Sequence, residues 1–232
     1  GAITVVSIFV NPTQFGPQED LAKYPRTWDA DLQMCATEGI DVVFAPTVEQ
    51  MYGESAESSL SAGALGTVLE GAQRPGHFDG VVTIVAKLFE LVQPDRAVFG
   101  QKDAQQVAVI KAMVRDQDFK VEIDVVPTVR DVDGLALSSR NAYLSPAERQ
   151  QARVIPRALE AAGAASSAGA QEVLTRVTEV MGQEPAVQVG YVALVNPHTL
   201  EAISQGFEGD ALLLIAAVVG TTRLIDNAMV RV

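Results

Sequence analysis

Three short segments of the sequence gather groups able to hold an anion. Residues 100–106, GQKDAQQ, follow an apolar run and open a helical pattern. Gly100 permits close backbone approach there, a helix N-terminus offers free N–H groups, Lys102 adds a point charge, and Asp103 can accept from a ribose hydroxyl. That combination suits a nucleotide phosphate. Asp103 and Gln106 are also spaced as the N-cap and N3 of a capping box, a purely structural use. Residues 137–141, LSSRN, put the hydroxyls of Ser138 and Ser139 beside the Arg140 guanidinium, a set that can neutralise a pyrophosphate or a triphosphate, although such strings also occur on surface loops. The third segment, NPTQF at 11–15, places the amides of Asn11 and Gln14 where a proline stops a strand. An uncharged amide can donate to a carboxylate and accept from a hydroxyl or an ammonium, or it can simply satisfy loop backbone. Arg74 and His77 stand just before a long apolar helix; the arginine could meet an anionic ligand and the histidine could cap the helix. His198, after Asn196-Pro197, reads as a solvated turn residue.

These segments need elements to hold them. In the first 127 residues, short apolar runs alternate with longer helical patterns, the signature of βαβ units and of a doubly wound parallel sheet covered on both faces. Strands are expected at 3–10, 41–44, 97–99 and 121–126, and helices at 27–37, 77–92 and 103–115. Residues 55–66, rich in Ser, Gly and Ala, read as a loop over the sheet. In an open parallel sheet, ligands bind beyond the carboxyl ends of the strands, where NPTQF and GQKDAQQ stand. The texture changes near Pro127. Asp133-Gly134 between β-like flanks predicts a hairpin turn, and Ser145-Pro146-Ala147-Glu148 carries the N-cap, N1 proline and N3 carboxylate of a capping box. Helical segments to about Gly182 and β runs at 187–195, 211–219 and 222–225 predict a small sheet packed with two helices. The expected organisation is a Rossmann-like domain over 1–127 and a smaller α+β domain over 128–232.

Composition narrows the function. Of the 232 residues, 48% are hydrophobic and 20% charged, enough for one large or two smaller cores. A net charge of −12 argues against nucleic acid or an anionic membrane surface as partner, since both call for a basic face. The longest apolar run, at 211–220, is too short to span a bilayer. The lone Cys35 cannot form an internal disulfide, which fits the cytoplasm, and it reads as a small buried hydrophobe on a helix.

In order along the chain, NPTQF (11–15), YPRTWDAD (24–31), LEGAQRPGHF (69–78), KLFELVQPDRAVFGQKDAQQ (87–106), DGLALSSRNAYLS (133–145) and RLIDN (223–227) resemble the pantothenate synthetase family, and the resemblance covers nearly all of the chain. It implies a HIGH-type nucleotidylyltransferase fold, usually a homodimer, with ATP and Mg2+ as cosubstrate and metal. It also implies a two-step reaction in which pantoate attacks the α-phosphate to give pantoyl adenylate and pyrophosphate, after which β-alanine displaces AMP. Carried over by position, Gln14 and Gln106 would hold pantoate, with Gln14 also near β-alanine and Asn11 in the same pocket. Gly100, Gln101, Lys102 and Asp103 would hold ATP, Lys102 on phosphate. Val129 would offer backbone contacts to adenine, with Leu137 beside it, and Ser138, Ser139 and Arg140 would bind the phosphates. Lys102, Ser138, Ser139 and Arg140 are thus the expected catalytic groups, while the metal ligands stay unassigned.

Two departures from the family pattern stand out. Gln101 replaces a usual Glu and Ala104 a usual aromatic residue, so the pocket edge is expected to differ. The family's HxGH motif does not occur in these 232 residues; the family places it before the strand that begins here, so a further strand and helix, roughly one βα unit, are expected upstream. A sister nucleotidylyltransferase, and a fragment that only binds nucleotide or dimerises, are the competing expectations.

Overall fold

The computed structural model describes residues 1–17, 19–54, 56–204 and 206–232. Strand β1 (Val5–Ser7), helix α1 (Trp28–Thr37), strand β2 (Val42–Phe44) and helix α2 (Val48–Tyr52) come first. They are followed by α3 (Glu70–Gln73), α4 (His77–Val92), β3 (Arg96–Gly100), α5 (Ala104–Asp116) and β4 (Glu122–Val126). β1 pairs with β2 and β3 with β4, both in parallel, so each helical crossover returns the chain in the direction it came from. Helix α4 packs its apolar residues into a core with α5, Met51 of α2 and the inner sides of the strands. Gly80 lets the chain after β1 lie directly on α4: a Cβ there would stand 2.5 Å from the Thr13 carbonyl oxygen.

The α/β class is as the sequence implies, but several details differ. Instead of one sheet, the described residues form two separate two-stranded parallel ladders. The strand expected over 3–10 is regular only at Val5–Ser7, where Val5 and Val6 are half-buried and Ser7 is exposed. β3 and β4 are not covered on both faces, because Arg96, Val98 and Gly100 of β3 alternate outward and Arg96 pairs with Asp124 on that open face. Cys35 is only half-buried, on a helix that buries no residue at all. Ser55 lies outside the described residues. The rest of that loop is tied to α4 rather than spread over a sheet, through the Thr83 hydroxyl, which accepts from the Ser59 and Leu60 amides, and Asp79, which accepts from the Ala62 amide.

Past Pro127, residues 129–137 form the expected hairpin, with a bridge from Arg130 to Ala136 and Gly134 in the left-handed region at φ +87°. Both bonds of the Ser145 capping box are present and start α6 (Pro146–Ala152). α7 (Val154–Ala165) and α8 (Ala170–Met181) follow, so three helices, not two, accompany the antiparallel sheet of β5 (Val187–Val195), β6 (Asp210–Val219) and β7 (Thr222–Arg231). The central β6 is buried at seven consecutive positions, 211–217. One side of it joins the core made with α7 and α8, and the other meets Ala104 and Leu69 of the N-terminal half. β7 continues well beyond the expected Ile225, because Asp226 and Asn227, polar residues that look like a strand end, are buried with partners.

Candidate active site

The Lys102 segment is a 3-10 turn, Gln101–Asp103, joining β3 to α5. The capping box that its spacing allows does not form: Asp103 sits at the N-cap of α5 without a side-chain bond to the helix and is exposed. The carboxylate is thereby left at the surface of a cleft. The turn is held from outside instead, by Asn227 of β7, whose Nδ2 donates to the carbonyls of Gln101 and Lys102 at 2.9 Å each. The Lys102 ammonium makes no hydrogen bond or ion pair with any described residue.

The Arg140 segment is another 3-10 turn, Ser139–Tyr143, capped by the Ser138 hydroxyl, which accepts from the Arg140 amide at 3.3 Å. Its contacts cross the chain to a strap at 19–24. Arg140 donates through Nε and Nη2 to Asp20 at 3.1 and 3.0 Å and lies over the Tyr24 ring at 5.7 Å from its centre. Ser139 meets the Tyr24 hydroxyl at 3.2 Å, and Tyr143 donates to the Lys23 carbonyl at 3.0 Å. The Arg140 hydrogen bonds and charge hold the Asp20 carboxyl below its ordinary range.

Lys102, Asp103, Ser138 and Arg140 line one cleft of about 880 Å³, together with Arg74, Glu19, Asp20 and the turn into β7. Arg74 is paired with Glu19 (2.7 Å) and also donates to the Gln14 carbonyl (3.2 Å) and to His77 Nε2 (3.0 Å). Since His77 Nδ1 faces the same carbonyl at 2.8 Å, and a carbonyl can only accept, the proton belongs on Nδ1 and Nε2 accepts from Arg74. Burial, then the Arg74 charge, pushes the His77 pKa down, so the ring is neutral at pH 7. The N-cap of α4 is Gly76, which makes His77 a brace for the Gln14 carbonyl rather than a cap.

Gln106 lines a small adjoining hollow with Arg74, His77, Lys102 and Tyr191. Glu70, buried at its floor, takes a bidentate pair from Arg223 at 2.9 and 2.7 Å and a longer contact from Tyr191 at 3.4 Å. Burial first, and then the Glu70 charge, raise the Tyr191 pKa, so its hydroxyl stays protonated. Gln105 fixes the loop before α3, donating to the Leu65 and Val68 carbonyls and accepting from the Glu70 amide.

The remaining expected residues are not among those lining the cleft. Asn11 is buried and bonded to Gly80, Thr13, Tyr52 and Gln14, so its amide holds the loop together. Gln14 and Gln106 do not line one hollow, but Arg74 and His77 touch the first and share a hollow with the second. Val129 and Leu137 are joined by a backbone bond on the exposed hairpin, Gly100 is exposed, and Gln101 donates to Asn227. His198 is exposed in its turn. A second hollow, of about 1270 Å³ beside β5 and α8, contains none of the candidate residues. Sequence reasoning gave no role to Glu19, Asp20, Glu70 or Asn227; the last two stand inside quoted motifs, but nothing local marks their partners. Among the described residues no group of three metal-ligating side chains occurs, and no helix is long and apolar enough to cross a membrane.

A family model described as pantoate-beta-alanine ligase matches residues 1–229. The pantothenate synthetases of Thermobifida fusca and Acidobacterium capsulatum are 53% and 54% identical to this chain, over 96% and 97% of it and 78% and 76% of their own lengths. Among solved structures, pantothenate synthetase from Thermus thermophilus aligns with a TM-score of 0.91 and 46% identity, covering 97% of this chain and 83% of that one. The pantoate-beta-alanine ligase from Francisella tularensis, solved in complex with β-γ ATP and β-alanine, aligns with a TM-score of 0.77 and 31% identity over 98% and 79%.

Proposed function

The chain belongs to the pantoate-beta-alanine ligase family, and on that premise we propose that the cleft between the Lys102 and Arg140 turns holds the ATP polyphosphate. The protein is an ATP-dependent ligase that joins pantoate to β-alanine. The observation that carries the site assignment is the arrival of Lys102 and Arg140, from turns nearly forty residues apart, at one cleft of about 880 Å³, a size suited to a nucleotide-sized ligand.

In the first step the pantoate carboxylate attacks the α-phosphorus, its new O–P bond forming as the bond to pyrophosphate breaks. Two anions must be brought together, so placement and charge do the work. Lys102 and Arg140 offset the charge gathering on the leaving pyrophosphate, and Ser138 and Ser139 supply hydroxyl donors beside it. Gln106 holds pantoate from the adjoining hollow, and Gln14, whose carbonyl is held by the Arg74 and His77 that share that hollow, holds it from the neighbouring turn, with Asn11 fixing that turn. Gly100 and Asp103 lie near the ribose, with Gln101 in the same ATP-binding turn, and the Val129–Leu137 hairpin edge faces adenine. In the second step the β-alanine amine, in its neutral form, attacks the acyl carbon and AMP leaves, so no nucleophilic side chain is needed. Mg2+ carried by the ATP phosphates would neutralise part of their charge.

The two core clusters, one within the N-terminal half and one beyond Leu135, support a domain boundary near Pro127. A homodimer in the cytoplasm completes the proposal, supported by the family resemblance and the lone cysteine.

Pyrophosphate release, followed with and without pantoate on the 232-residue chain and on the product of the whole reading frame, tests the reaction. Release that needs pantoate is the expected result. Release without it would favour a sister nucleotidylyltransferase, and none in the whole product would reject the ligase.

A further inference from the structure

We propose that Asn227, on the last strand of the C-terminal sheet, is a positioning residue for Lys102, an inference that rests on the reading of Lys102 as a phosphate ligand. The Lys102 turn lacks the local devices that usually fix such a turn. Gly100 at its start makes no side-chain cap bond, and Asp103 makes none to α5. One carboxamide replaces them. Asn227 is 4% exposed, and both of its Nδ2 hydrogens go to successive carbonyls, those of Gln101 and Lys102, while its Oδ1 accepts from Gln101 Nε2 at 3.3 Å. Two successive carbonyls bracket the Lys102 Cα, so fixing them fixes the root of that side chain while its ammonium stays free to meet a ligand.

The clamp is itself anchored. Asn227 is paired with Leu214 of the buried central strand, and its amide donates to Asp226 at 2.8 Å. Asp226 in turn takes a bidentate pair from Arg130, next to Val129 on the hairpin. Two consecutive residues of β7 thus hold the turn assigned to phosphate and the hairpin assigned to adenine. Aspartate cannot stand in at 227, because it would turn an oxygen toward carbonyl oxygens.

The test is a double-mutant cycle of Lys102→Ala and Asn227→Ala, read by calorimetric ATP and pantoate affinity well below the unfolding temperature of each variant. Asn227→Ala is expected to weaken ATP on the order of tenfold, the scale of a small misplacement of a binding group, with pantoate affinity unchanged. In the Lys102→Ala background the same substitution should have no further effect. If Lys102→Ala weakens ATP but Asn227→Ala does not, or the two losses multiply, the positioning role is overturned while the phosphate assignment stands. A lowered unfolding temperature with unchanged ATP affinity also overturns it, as that is what a merely structural amide would show. If Lys102→Ala itself leaves ATP affinity unchanged, the phosphate assignment fails and this inference with it. Should Asn227→Ala not fold, Asn227→Ser, which keeps a hydroxyl donor in the buried space, carries the same comparison.

Discussion

Lys102 and Arg140 reach the same cleft from two separate turns, but one is fixed at its root and the other at its tip. The backbone at Lys102 is gripped by Asn227 and the ammonium has no partner among the described residues. The Arg140 guanidinium is aimed by Asp20 and lies against Tyr24, on a strap from the N-terminal half. The difference is one of field as much as of geometry. A free ammonium presents its whole charge to an incoming phosphate, whereas a guanidinium already bonded to a carboxylate is well aimed but partly neutralised. Arg74 repeats the second pattern with Glu19. Lys102 therefore supplies ready charge, and the arginines supply direction.

Removing Lys102 breaks the comparison most directly. Lys102→Ala should lower the adenylation rate on the order of a hundredfold or more, measured as pantoate-dependent pyrophosphate release, and leave the denaturant midpoint where it was because no protein partner is lost. Arg140→Ala should cost adenylation about a hundredfold as well and, unlike Lys102→Ala, should also reduce unfolding free energy by about 1 kcal/mol, since Asp20 loses a half-exposed partner. Equal stability of the two variants would remove the distinction between root and tip. Gln106→Ala, one helical turn past the Lys102 segment, should weaken pantoate about tenfold, a lost hydrogen bond to a charged group, and ATP by less; the opposite ranking in binding assays would undo its assignment.

The smallest effect concerns the strap. Asp20→Asn takes a negative charge from the cleft, so ATP should bind a few-fold tighter at low salt, with the gain fading as salt screens it; weaker binding would mean that aiming Arg140 matters more than its field. The pH dependence of folding follows from the same carboxylate. Because the Asp20 pKa is lower in the folded protein, through its bond to Arg140, its contribution is fully present above the ordinary value near 4 and is lost as pH falls through the lowered one. Denaturant titrations from about pH 6 to 3 should show a smaller loss in Asp20→Asn than in the parent.

What the sequence determined by itself were features whose causes lie within a few residues. The Ser145 capping box, the long apolar α4, the turn at Gly134 and the span of β5 all follow from spacing that the chain reads locally. The ordered motifs likewise identified the family and put Lys102 and Arg140 forward as cations. Partners far apart in the chain were settled only by tertiary structure. Asp103 and Gln106 have the spacing of a capping box that does not form. Asp226 and Asn227 look like the end of a strand, but the strand runs on because Arg130 and the Gln101–Lys102 carbonyls, some hundred residues earlier, satisfy them. Tertiary contacts likewise bring Asp20 to Arg140 and Glu70 to Arg223. A buried polar group is tolerable only beside its partner. Sequence spacing cannot show where that partner is, because packing two units together is what brings it near.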